Sequence, residues 1–231
     1  GVAKGLADDP TTAMVRFYSL RAQRIFDLAT GILGSSHDIT RVMATQVVVP
    51  FFTQEILSFD EGAAKTDALA IAPYFGTTIS EAPVANEIKS VGADGVFDWL
   101  TNDNNATIGY GSLESVDDAV ADQVDAANDF GVPVIAYEGG QHFVGALGFE
   151  DDAALNTVLD EVNRDPRIEN VYLDYLNAFA NRTGGTLWHF VNCDRWSKFG
   201  RWGALEYQEQ ERSNAPKYNA LLTFMGVEEP Q

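Results

Sequence analysis

The chain has a single cysteine, Cys193, among 231 residues. One thiol has no partner within the chain, so a disulfide framework is excluded. Basic residues are scarce: 15 Lys and Arg stand against 34 Asp and Glu, a formal charge of −19. Nucleic acid is a poor partner for so negative a surface, because phosphate binding needs clusters of Lys and Arg, and none occurs. Long apolar runs are also missing. The longest, Val47–Phe52 and Ala68–Pro73, are strand-sized. They fall short of the ~20 residues that span a bilayer, so no membrane partner is expected. Neither GxGxxG nor a GxxxxGK phosphate loop follows any apolar run, which lowers nucleotide-binding folds. No GxSxG elbow exists, which lowers a serine hydrolase. No signal peptide is visible at the start.

What remains is an ordinary globular composition, 45% hydrophobic, of a length that fits one domain over residues 1–231. The acidic excess reads as a solvated surface. Asp117, Asp118, Asp122 and Asp125 have helical spacing and lack the Gly-turned loop of a calcium site, so they read as a helix face.

Asp9 and Pro10 start a helix that Gly31 and Gly34 end. Val-rich Arg41–Val49 reads as a strand, Phe51–Phe59 as a short helix and Asp67–Pro73 as a second buried strand. Two helices, Glu81–Trp99 and Val116–Phe130, flank a turn-rich Thr101–Ser112. Val132–Tyr137 is a third strand. A long helical region, Ala153–Arg182, is broken at Asp165–Pro166. Thr186–Cys193 is a fourth strand, and a last helix lies near Pro216–Met225. Strands apolar on both faces and joined by helices belong to parallel sheets. The expected class is therefore α/β with about four parallel βα units. Both an open doubly wound sheet and half of a (β/α)8 barrel fit this order.

In such sheets the chemistry gathers at the carboxyl ends of the strands. The first strand presents Gln46 there and the second Tyr74. The third ends in Tyr137-Glu138-Gly139-Gly140-Gln141-His142. The fourth carries Trp188, His189 and Asn192, followed by Asp194, Arg195 and Trp196. Glu138 directly follows Val-Ile-Ala-Tyr, where a carboxylate is costly unless paired or at a wet rim. Two glycines leave space in front of it. Its plain alternative to a cleft-facing role is an ion pair with Arg195 or another cation at the rim. Trp188, Trp196 and Trp202, mixed with polar side chains, suit the apolar faces and hydroxyls of sugars. Trp188 and His189 alternate and so point to opposite faces of the sheet. His142 has no third ligand at metal spacing, and no metal or other cofactor is expected. Cys193 lacks an assignable base.

The segments Ala-Leu-Ala-Ile-Ala-Pro-Tyr-Phe-Gly (68–76) and Ala-Tyr-Glu-Gly-Gly-Gln-His (136–142) carry a resemblance. The chain resembles the C-terminal half, strands five to eight, of cellulase-like (β/α)8 retaining glycoside hydrolases. That likeness implies a partial TIM barrel, a half-barrel completed by a missing segment or a second chain. It implies Glu138 as nucleophile, Tyr74 as the hydroxyl that hydrogen-bonds to it, and Trp188 as the ring under the sugar. Gln46 stands where the family often has His, and with His142, Asn192, Asp194 and Trp196 it completes the expected substrate-binding set. The implied activity is hydrolysis of a β-linked glucan or related plant polysaccharide. The polymeric substrate implies export, so an extracellular setting is expected. The family's acid/base Glu follows an Asn at the end of strand four. No such pair precedes the first helix, and Asn86-Glu87 lies inside a predicted helix. A retaining mechanism needs two carboxyls ~5–5.5 Å apart. Hence the expected partner is a second copy or an N-terminal half-barrel. The alternatives are a non-catalytic carbohydrate-binding domain and a hydrolase-like structural domain.

Overall fold

A computed structural model describes residues 1–34, 37–102 and 111–227. Helix α1 spans Pro10–Leu33; the Asp9 carboxylate accepts from the Thr12 amide at 2.7 Å, and Gly34 caps the other end. Strand β1 is Val42–Ala44, followed by α2, Pro50–Ser58. Strand β2 is Ala68–Ile71, fully buried. Helix α3 covers Ala82–Thr101 and bends at Gly92; α4 covers Leu113–Asn128. Strand β3 is Val134–Gly139. Helices α5, Ala153–Arg164, and α6, Arg167–Thr183, are separated at Asp165–Pro166. Strand β4 is Leu187–His189, and α7 is Pro216–Phe224. Residues 103–110 of the expected turn-rich segment lie outside the described residues.

The molecule is therefore α/β, with a four-stranded parallel sheet in the order β1-β2-β3-β4. Val42 pairs with Ala68, and Leu69 with Val134. The Ala136 amide reaches the Thr186 carbonyl at 2.9 Å, and the Phe190 amide reaches Gly139 at 3.0 Å. Strand order never reverses among these four. A doubly wound sheet opens its ligand crevice at such a reversal, so that kind of crevice is absent from the described strands.

Strands β1, β2 and β4 are shorter than the apolar runs that announced them, whereas β3 keeps six residues but starts two later than Val132. Arg41–Val49 keeps only three residues in the ladder. Val47 is buried all the same, in the loop beyond the strand. Fully buried Gln123 of α4 holds that loop, donating to the Gln46 and Val47 carbonyls at 3.0 and 2.8 Å. Its own oxygen accepts from Thr53 Oγ1.

Two compact units emerge. The first comprises Gly1–Ala72, Ala119–Tyr137 and Arg182–Leu187. Its core includes Ala13, Met43, Ile56, Leu57, Leu69 and Val134. The second comprises Pro73–Asp118, Glu138–Asn181 and Trp188–Gln231. Here Phe75 is the centre of an aromatic core, 5.7, 5.4 and 5.1 Å from the rings of Phe143, Tyr172 and Tyr175.

Candidate functional site

The pairing of β2 with β3 continues past both strands. The Phe75 amide donates to Gly140 at 3.0 Å, and the His142 amide donates to Phe75 at 2.7 Å. This extension brings Tyr74 and His142 together, their ring centroids 5.8 Å apart and edge-on. Trp202 closes the triangle, 5.9 Å from Tyr74 and 4.9 Å from His142. Phe190 packs on the far side of Trp202 at 6.0 Å. Burial lowers the His142 pKa, so the ring is neutral at pH 7, and its Nδ1 is buried with no hydrogen-bond partner among the described residues. The neutral imidazole thus sits edge-on to two aromatic rings, Tyr74 and Trp202, as part of an aromatic wall.

Glu138 lies one step from the end of β3, half-buried, between exposed Tyr137 and buried Gly139. It forms no hydrogen bond or ion pair with a described residue, and neither does Arg195. The ion pair between them is therefore not made, and neither is the bond from Tyr74 to Glu138. Gly140 follows with φ 134°, and a Cβ there would sit 3.1 Å from the His189 ring and 3.3 Å from Tyr172 Oη. Glycine is required by both the turn and the crowding. Gln141 is buried and fully used: its side chain accepts from the Phe143 amide and donates to the Arg201 carbonyl at 2.7 Å.

On β4, Trp188 is 54% exposed, while His189 is turned inward against Tyr172, as alternation requires. Tyr172 Oη lies 3.3 Å from His189 Nε2, and Nδ1 has no partner. Burial, with nearby Lys217 adding to it, pushes the His189 pKa down to about 3. Lys217 is itself fully buried; its Nζ donates to the Arg201 carbonyl at 2.5 Å and lies 4.4 Å from the Trp196 ring centroid. Burial holds its pKa well below the ordinary lysine value. Arg201 is 2% exposed; its Nε meets Asp160 and its Nη2 meets Asn156 Oδ1 at 2.9 Å, while Nη1 is buried without a partner among the described residues. Neither cation was singled out from the sequence, and the residue types around them carry no mark of this burial.

The other candidates scatter. Trp196 carries Arg164 5.0 Å from its ring centroid as well as Lys217, and its indole N–H donates to Gly203 at 3.0 Å. Asn192 and Asp194 are exposed, their backbones paired with Leu205. Exposed Gln46 belongs to the first unit, whereas the other seven candidates belong to the second. A cavity of about 710 Å³ in the second unit is lined by Trp196 alone of these eight, together with Arg195, Arg201 and charged side chains around them. No group of three His, Cys, Asp or Glu placed to hold a metal ion occurs among the described residues. No helix among them is long and apolar enough to cross a membrane. No family model, curated protein or solved structure matches this chain.

Proposed function

We propose that this chain is the nucleophile-bearing half of a retaining β-glycan hydrolase, a half-barrel whose proton donor comes from a second copy or an N-terminal half-barrel. The observation that carries the reading is Glu138: a carboxylate at the carboxyl end of a parallel strand, neither bonded nor paired to a described residue, with Gly139 and Gly140 behind it. In a parallel sheet that end is where reacting groups collect. Consecutive strand order supports barrel-type winding, since right-handed crossovers that always step the same way stack their helices on one face. Exposed Met14, Tyr18, Ile25, Leu28 and Ile32 of α1, spaced by three, four or seven residues, support a further layer against the first unit.

In the mechanism, Glu138 attacks the anomeric carbon and forms a glycosyl ester while the donor protonates the leaving oxygen; water then cleaves the ester. Trp188 is the exposed ring available to the sugar face, and Tyr74, His142 and Trp202 form the neighbouring aromatic wall. The setting proposed is extracellular, where β-glucan is found. The test is Glu138→Gln with soluble β-glucan. Reducing-sugar release falls at least a thousandfold with the fold intact by circular dichroism. Unchanged release in that variant removes Glu138 from the chemistry.

A second reading, binding without hydrolysis, is favoured by the exposed Trp188 ring, which can hold a sugar face without any second carboxyl. It predicts affinity for cello-oligosaccharides that Trp188→Ala abolishes, and no reducing sugar from the native chain at any pH.

A further inference from the structure

The 710 Å³ cavity is the place where the acidic surplus of the chain is locally cancelled. Four acids line it, Glu150, Asp151, Asp160 and Glu206, and four bases, Arg164, Arg195, Lys198 and Arg201. Three pairs consume most of them. Arg164 grips Glu206 through two nitrogens at 2.8 and 2.6 Å, Lys198 meets Asp151 at 2.5 Å, and Arg201 meets Asp160. Glu150 is turned to the Gly148 amide at 3.0 Å. Arg195 is left over, with no bond to a described residue, and exposed.

Arg201, in the same lining, is only 2% exposed, and one buried terminal nitrogen has no acceptor among the described residues. A buried guanidinium nitrogen without an acceptor costs stability unless something supplies one. Tyr207, exposed and with no cation over its ring, completes a lining in which Trp196 is already covered by Arg164 and Lys217.

We propose that this cavity is a subsite for a carboxylate-bearing saccharide, with Arg195 and Arg201 receiving the carboxylate and Tyr207 lying against the sugar ring. A carboxylate matches the fork of a guanidinium and is held by charge-assisted bonds. A pyranose is matched by an aromatic face beside polar side chains. The large negative charge elsewhere repels an acidic polysaccharide, so a neutralised hollow is where such a chain can rest. This deepens the glycan reading by naming the substrate class, and it rests on that reading; its residues are separate from Glu138.

The experiment is calorimetric titration of the full chain with β-1,4-linked tetraglucuronate, cellotetraose and sodium acetate at matched ionic strength. Tetraglucuronate binds at least tenfold more tightly than cellotetraose, and Arg195→Ala and Tyr207→Ala each weaken it about tenfold or more. Arg195→Lys restores part of the loss, and circular dichroism shows each variant folded. Acetate binding as tight as tetraglucuronate overturns the saccharide, leaving an anion site only. Equal affinity for cellotetraose, or no effect of Arg195→Ala, overturns the subsite while leaving hydrolysis at Glu138 to stand or fall by Glu138→Gln.

Discussion

Lys217 and His189 are bases held out of water, and each makes stability depend on pH in its own window. His189 titrates near 6.5 when unfolded and at about 3 when folded. Above 6.5 both states keep it neutral. As pH falls from 6.5 toward 3, the unfolded chain takes up a proton that the folded chain refuses, so stability drops, at about 1.4 kcal/mol per unit. Asp67, lowered from 3.8 to about 2 first by its hydrogen bond from Arg41, loses its contribution below that window. Urea unfolding between pH 4 and 6.5 therefore reads the two histidines whose pKa burial lowers, His189 and His142, apart from the carboxylates. His189→Gln, which keeps a donor for Tyr172, removes the His189 share and makes the midpoint less steep over that range; an unchanged slope shows that another group causes it. Lys217 acts the same way below 10.5, where only the unfolded chain is readily protonated. Lys217→Met removes that penalty at the loss of one hydrogen bond of about 1 kcal/mol. The Arg201 carbonyl keeps its bond from Gln141. The variant is expected to be as stable as the native chain at pH 7, or more so, with a weaker rise toward pH 10; a loss above about 3 kcal/mol contradicts this. Neither effect was legible in the sequence, because a lysine or a strand histidine carries no mark of how many atoms surround it.

Helix α3 holds its bend through Gly92, whose φ of 68° and ψ of −159° are open to glycine and costly for other residues. Nothing lies within 4 Å of a Cβ built there, so Gly92→Ala is penalised by backbone conformation alone, by about 1–2 kcal/mol. Gly31 also has nothing within 4 Å, but its backbone is helical, so Gly31→Ala stabilises α1 by up to about 1 kcal/mol. Opposite shifts of the urea midpoint check the pair; two shifts of the same sign contradict the distinction. Helix ends were legible for the same local reasons. Asp9-Pro10, Gly34 and Asp165-Pro166 act through their own backbones and carry their meaning in the sequence. Strand ends were not. The run to Val49 looks like a strand throughout because apolar residues are buried equally well in a loop, and the partner holding that loop, Gln123, lies 76 residues from Val47. The site divides likewise. Glu138 at a strand end and the opposed faces of Trp188 and His189 follow from period two. The Tyr74–His142–Trp202 triangle and the charged hollow need the folded chain.

At the scale of the whole molecule, the surplus of 34 acidic over 15 basic side chains sets two salt effects against each other. Salt weakens ion pairs such as Lys198–Asp151 and Arg167–Asp94, whose members are exposed. Such pairs contribute only about 0–1 kcal/mol each, so little is lost. Salt also screens the mutual repulsion of an excess of 19 negative charges, which acts over many pairs at once. The screening length falls from ~30 Å at 0.01 M to ~10 Å at 0.1 M, so most of this relief comes at low salt. The melting temperature is therefore expected to climb by several degrees between about 0.01 and 0.2 M sodium chloride and then level off, as the screening length dictates. Potassium chloride should reproduce the curve, since screening depends on ionic strength. A melting temperature that falls over the same range shows that the ion pairs outweigh the repulsion. The same field bears on the charged hollow, where the nearby guanidinium attraction and the distant acidic repulsion oppose each other for any anionic sugar. Because the distant term is screened first, the affinity for β-1,4-linked tetraglucuronate should change little or rise over the first increments of salt and decline only as the local pairs are screened.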